Sequence, residues 1–212
     1  MKRLFLTSQV QFVASSIASK LGSEVHKPMV FIDTCIHSRV HTDDELSWHY
    51  ENKKQLEVSG FSFDIYDISN KTKIELKNDL DKYEIMYIEG GNAPYLLKQS
   101  VTNDFGNYVK SRVAAGMIYI STSASSIVAG PDIASNGRPG KTVQDFGLTD
   151  SSGFGVVNFV VIPHWGDNSK AADCQKYKIP QSYLENNPHI MINDNQYIEV
   201  EDDWYKIVDV SQ

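Results

Sequence analysis

The segment Gly116 to Ile133, GMIYISTSASSIVAGPDI, places Ser121, Thr122, Ser123, Ser125 and Ser126 where a β-branched and aromatic run ends and a helix begins. A serine acts as a nucleophile only with a base to take its proton, an acid to orient that base and amide donors for the developing oxyanion. A sharp strand-to-helix turn lifts one hydroxyl clear of a sheet, and the amide that follows can serve the oxyanion. Ser123 followed by Ala124 meets that demand. The same cluster also reads as a helix cap, because hydroxyl side chains satisfy the open amides of a first helical turn. Partners elsewhere in the chain decide between the two readings.

His164 is the first partner. It directly follows Pro163 at the end of VVNFVVIPH, a β-branched run, so it is expected at the same carboxyl edge as Ser123. A lone histidine there also reads as structural. Gly90, Gly91 and Asn92 follow the apolar run IMYIE; glycines just past a strand leave amides free and admit close approach of a ligand, or form a mere turn. The segment lacks the spacing of a phosphate-binding loop. Cys35, His37 and His41 in DTCIHSRVHTDD match no zinc pattern, so no metal site is expected. Trp48, Tyr50, Trp165 and Tyr177 read as core or pocket lining.

The elements that must carry these residues alternate. Strands are expected at Arg3–Thr7, Pro28–Asp33, Phe61–Ile68, around IMYIE and around MIYIST; helices are expected over Val10–Leu21, Asp43–Ser59, Lys73–Leu80 and Asn103–Ala115. Such alternation predicts a largely parallel sheet with helices on both faces, and in such sheets sites collect at the carboxyl ends of strands. The stretch from Gly130 to Gly155 turns loop-like, Val156–His164 reads as a further buried strand, and Gln196–Val200 with Trp204–Val208 reads as a closing hairpin. No repeat or low-complexity tail is visible.

Length and charge narrow the classes. The 212 residues suit one domain, 1–212. A formal net charge of −7 argues against a sequence-independent grip on nucleic acid or on an anionic membrane, and favours a small molecule or peptide. Two distant cysteines, Cys35 and Cys174, read as free thiols of a reducing compartment, the opening MKRLFLTSQV reads as a core strand rather than a signal peptide, and a cytoplasmic location is expected.

Assembled, these residues resemble the dipeptidase E (aspartyl dipeptidase) and cyanophycinase family of serine peptidases. The resemblance runs through KRLFLTS, YIEGGNAPYLLKQ, GMIYISTSASSIVAGPDI, FVVIPHW and INDNQYIEV, in that order. It implies an α/β fold, a three-layer sandwich with a mostly parallel sheet, similar to class I glutamine amidotransferases. It also implies a catalytic triad with Ser123 as nucleophile, His164 as base and Asp194 as orienting acid, with the amides of Gly91 and Ala124 as oxyanion donors, and no cofactor. Asp132 and Asp145 are the alternative acids.

Two positions depart from the family pattern. Ser121 and Ser125 stand where the elbow has glycines, and glycine is favoured there because a strained turn penalises a Cβ. After His164, relatives selecting an amino-terminal aspartate have arginine, whereas this chain offers Lys170, Lys176 and Lys178, and lysine lacks the bidentate fork. The expected function is a serine peptidase of dipeptidase E type, hydrolysing short peptides through an acyl-enzyme, with homodimerisation left open. The rivals are a pseudoenzyme binding a peptide or metabolite and an amidotransferase-like hydrolase; the second class uses cysteine where Ser123 stands.

Overall fold

The computed structural model describes residues 1–184 and 186–211. Its main sheet takes β1 (Arg3–Thr7), β2 (Met29–Ile32), β3 (Phe63–Tyr66), β4 (Ile85–Ile88) and β5 (Ile118–Thr122) in parallel, and closes with β8 (Gln196–Glu201) and β9 (Trp204–Asp209) as an antiparallel hairpin. The spatial order is β3-β2-β4-β5-β1-β8-β9. Strands β2, β4 and β5 are buried along their whole length, as parallel strands covered on both faces must be, which is why they read as unbroken apolar runs.

Alternate residues of each strand serve opposite cores. Leu4, Leu6, Val30, Ile32, Met86 and Ile88 pack with α3 (Lys73–Leu80), α4 (Ala93–Asn103), α5 (Phe105–Ala114) and α6 (Ala124–Val128). Phe5, Phe31, Tyr87 and Ile120 pack with α1 (Val10–Leu21) and α2 (Ser47–Val58). The result is the expected three-layer α/β sandwich. No helix among the described residues is long and apolar enough to cross a membrane.

Three elements differ from the sequence reading. The helix expected over Asp43–Ser59 begins as a 3-10 turn, Asp44–Leu46, before α2. The helix expected over Asn103–Ala115 is present as α5, but α4 before it was not foreseen, and Asp104, whose φ of 61° is left-handed, joins the two. The run Val156–His164 is strand only at β6 (Val160–Ile162), which pairs with β7 (His189–Met191) in a separate two-stranded sheet. Its first half is instead pinned to the turn after α6: the amides of Val156 and Val157 donate to Ala129 O at 3.0 and 3.3 Å, and a Cβ at Gly130 would sit 2.7 Å from Phe159 O.

Candidate active site

Strand β5 delivers Ser123 to the carboxyl edge. The Ser123 amide donates to Thr7 O at 2.9 Å, prolonging the β5–β1 ladder by one bond, and the chain then turns abruptly into α6. At the turn Ser123 has φ 52° and ψ −115°, a conformation that L residues avoid and that persists only where surrounding bonds fix it. The bonds are visible: Thr122 Oγ1 accepts from the Val10 amide at 3.0 Å and donates to Ser8 O at 3.2 Å.

The two serines in place of glycines are buried and fully bonded. Ser125 Oγ accepts from the Thr122 amide at 2.9 Å and approaches Ile88 O at 2.6 Å and Thr122 O at 2.8 Å. The Oγ atoms of Ser121 and Ser126 are 2.9 Å apart, and Ser126 Oγ donates to Thr7 O at 2.8 Å. The hydroxyls therefore tie the elbow to β1 and β4.

A continuous relay leaves Ser123. Its Oγ lies 2.8 Å from His164 Nε2, and His164 Nδ1 lies 2.8 Å from Asp194 Oδ1. With Asp194 ionised, Nδ1 carries the proton and Nε2 faces Ser123 as acceptor. His164 follows β6 through Pro163 and has φ 63°. Its side chain and that of Asp194 are mostly covered, at 15% and 22% exposure. Burial opposes the charge on Asp194 but is outweighed by hydrogen bonds from His164 and Ser8, the charge of His164 and a bond from Gln9, so its carboxyl is held at about 2.

Ser8 and Gln9 are partners that the sequence reading missed. Ser8 Oγ donates to Asp194 Oδ1 at 2.6 Å and accepts from the His164 amide at 2.7 Å; Gln9 Nε2 donates to Asp194 Oδ2 at 2.8 Å. Both stand just past the end of β1, and that position was their only signal. Asp132 and Asp145 do not reach the histidine. Asp132 accepts from the Ala134 amide at 2.6 Å and Ser151 Oγ at 3.0 Å, and Asp145 from the Thr142 amide and hydroxyl at 2.8 and 2.7 Å.

Facing the elbow, the glycine pair follows β4. Gly91 has φ 131°, and a Cβ there would sit 2.8 Å from Cys35 O. A Cβ on Gly90 would come within 3.1 Å of Ser123 Cβ. Only glycine lets this loop pass so close to the nucleophile turn. Among the described residues neither the Gly91 nor the Ala124 amide donates a hydrogen bond. Glu89, fully buried, anchors the loop by accepting from the Gly90 amide at 2.8 Å, Tyr87 OH at 2.9 Å and Asn52 Nδ2 at 2.9 Å, with His49 Nδ1 at 3.2 Å.

These groups open onto a cleft of about 800 Å³ that also collects Arg39, Arg138, Lys141, Lys170 and Lys178. Arg39 pairs with Glu45 at 2.6 Å and Arg138 with Asp173 at 3.3 Å. The ammonium groups of Lys141, Lys170 and Lys178 have no hydrogen-bond or ion-pair partner among the described residues. Lys178 is only 8% exposed. Burial lowers the pKa of both Lys141 and Lys178, and for Lys141 the nearby Arg138 adds to it. Lys176 instead lies over the Tyr177 ring at 5.1 Å.

Comparisons with known proteins bear on the fold and the family. The chain is 29% identical to an uncharacterized peptidase of Listeria monocytogenes over 79% of this chain and 80% of that protein. It is 25% identical to an uncharacterized peptidase of Pasteurella multocida over 93% and 97%. The crystal structure of a Listeria monocytogenes protein described as a peptidase E superposes with a TM-score of 0.81 at 24% identity, covering both chains entirely. A peptidase from an acI-B1 Actinobacterium superposes at 0.70 with 16% identity, over 99% of this chain and 88% of its own. The model of peptidase family S51 matches residues 4–208, from the first sheet strand to the last, and the chain belongs to that family.

Proposed function

We propose that the protein is a serine peptidase that hydrolyses short peptides through an acyl-enzyme on Ser123. The observation that carries this reading is the unbroken relay from Ser123 Oγ through His164 to Asp194, with 2.8 Å at each step. His164 Nε2 takes the Ser123 proton as Oγ attacks the scissile carbonyl, and the amides of Gly91 and Ala124 receive the oxyanion. His164 then returns the proton to the leaving amine, and water repeats the cycle on the ester. Asp194 keeps the proton on Nδ1 and stabilises the transient imidazolium.

The preference for short peptides is supported by the cleft. Lys141, Lys170 and Lys178 bring positive charge, unpaired among the described residues, into the cleft of the nucleophile, complementary to the carboxylate at a peptide's end or on an acidic side chain. Labelling with a serine-directed phosphonate followed by peptide mapping tests the assignment. The label is expected on Ser123 alone and is lost in Ser123→Ala; label on Ser121 or Ser125 with Ser123 clean overturns it. The rate should also show an acid limb, because an imidazolium cannot accept the serine proton. An active His164→Ala variant would remove the triad reading.

A further inference from the structure

The loop that shoulders Gly91 contains a cluster that the reaction does not use. Asp33 follows β2, Asp67 follows the neighbouring β3, and His37 ends the short 3-10 turn Thr34–Ile36 that leaves Asp33. One ligand atom from each of the three lies within 4.8 Å of the others. Parallel pairing of β2 with β3 sets the two aspartates side by side at the carboxyl edge, and the turn folds His37 back over them. The histidine noted in DTCIHSRVHTDD thus finds carboxylates from two strands rather than the adjacent Cys35 or His41.

A second observation separates this cluster from an ordinary group of surface acids. Asp33 is only 8% exposed, and its Oδ1 is sealed from solvent yet accepts no hydrogen bond from any described residue. His37 Nε2 lies 3.0 Å away, an ion-pair distance but not a well-aligned hydrogen bond. Asp67 by contrast has one oxygen fully engaged: Oδ1 accepts from Thr34 Oγ1 at 2.8 Å and the Ser69 amide at 2.9 Å. One oxygen from each aspartate and an imidazole nitrogen thus stand within 4.8 Å of one another. A sealed carboxylate oxygen served, among the described residues, only by an ill-aligned imidazole is under-satisfied, and a cation would satisfy it while also relieving two adjacent negative charges.

We infer that Asp33, His37 and Asp67 form a binding site for a first-row divalent cation of the Zn²⁺ type. Two carboxylate oxygens with one imidazole suit such an ion, whereas Mg²⁺ and Ca²⁺ take oxygen sets. The partly exposed His37 provides the way in and leaves room for water to complete the coordination. The engaged Asp67 oxygen and Thr34 supply the supporting bonds that orient a ligand. Bound there, the ion fastens the ends of β2 and β3 to the loop whose Cys35 carbonyl accepts from the Asn92 amide at 3.1 Å and abuts Gly91. The site is therefore structural, its residues take no part in the relay from Ser123 to Asp194, and its occupancy does not depend on the peptidase reading.

Calorimetric titration of the chelator-stripped full chain with ZnCl₂ tests it, with melting temperature as a second readout. One equivalent should bind and raise the melting temperature, and MgCl₂ should do neither. Asp67→Asn and His37→Ala should each weaken Zn²⁺ binding at least tenfold and abolish the thermal shift, while His41→Ala keeps both. Melting in chelator shows whether each variant is folded, and Ser123→Ala should bind as the native chain does. No uptake near one equivalent, Mg²⁺ binding in place of Zn²⁺, or Zn²⁺ binding unchanged in both Asp67→Asn and His37→Ala would overturn the site.

Discussion

The charge of Asp194 is firmly set, and that has two consequences. Its hydrogen bonds outweigh its burial and hold the folded pKa at about 2, below the ordinary value of 3.8. A depressed carboxyl contributes stability that is complete above the unfolded value and is lost as pH falls through the folded one. The melting-temperature gap between the native chain and Asp194→Asn should therefore close between about pH 4 and about pH 2. At neutral pH the same variant should keep its fold and lose about three to four orders of magnitude in turnover, because an amide no longer selects the tautomer that leaves Nε2 as acceptor. Ser125 supplies a second test. Crowding at the elbow predicts a gain from glycine, but Ser125 Oγ satisfies the buried Thr122 amide. Restoring glycine at 121 and 125 should lower stability by about 1–3 kcal/mol in a denaturant titration and give no faster turnover. Types alone made Ser123 and His164 legible; Asp194 needed the family likeness, and Ser8 could not be read at all, because nothing local distinguishes a serine that supports an acid 186 positions away.

At the scale of elements, strand direction explains why an acid from the end of the chain reaches a site built by its parallel strands. β8 runs antiparallel to β1, with Tyr197 opposite Thr7, so the turn before β8 lies at the edge where β1 and β5 finish. The alternation of strands and helices made this sheet legible, because runs buried on both faces show as continuous apolar segments. β6 was not legible as a member of the small sheet, since a β-branched run is the same whichever strand it pairs with. The glycine loop offers the sharpest element-level prediction. Gly91→Ala adds a Cβ 2.8 Å from Cys35 O at a φ of 131°, which moves the amide facing the elbow. Loss of one oxyanion donor costs about 10²–10³ in kcat, so Gly91→Ala should fall by that order with KM little changed. Native kcat in Gly91→Ala would remove this amide from the oxyanion site.

The whole molecule carries a charge opposite to that of its cleft. The formal net charge is −7, yet the cavity beside Ser123 gathers three lysines without ion-pair partners among the described residues, one of them almost completely buried. Against Glu45, Asp167 and Asp173 in the same lining, Arg39, Arg138 and the three lysines leave the cleft with an excess of positive charge, which attracts a ligand of the protein's own sign while the outer surface repels it elsewhere. Short peptides with a free carboxylate should therefore be preferred over their amidated counterparts, and the preference should shrink as salt is raised, since screening acts within about 8–10 Å at ordinary ionic strength. Lys178 is the residue on which this rests most directly, because its ammonium has left bulk water without an ion-pair partner among the described residues. Lys178→Met preserves the stem and deletes the charge. A charged hydrogen bond contributes roughly 1.5–3 kcal/mol, so KM for a free-carboxylate dipeptide should rise roughly ten- to a hundredfold while kcat changes little. The amidated dipeptide should hardly notice the substitution. Steady-state kinetics on the pair of substrates with both proteins distinguishes the outcomes: an equal loss on the two peptides would mean that Lys178 supports the cleft wall and that the substrate carboxylate is met elsewhere.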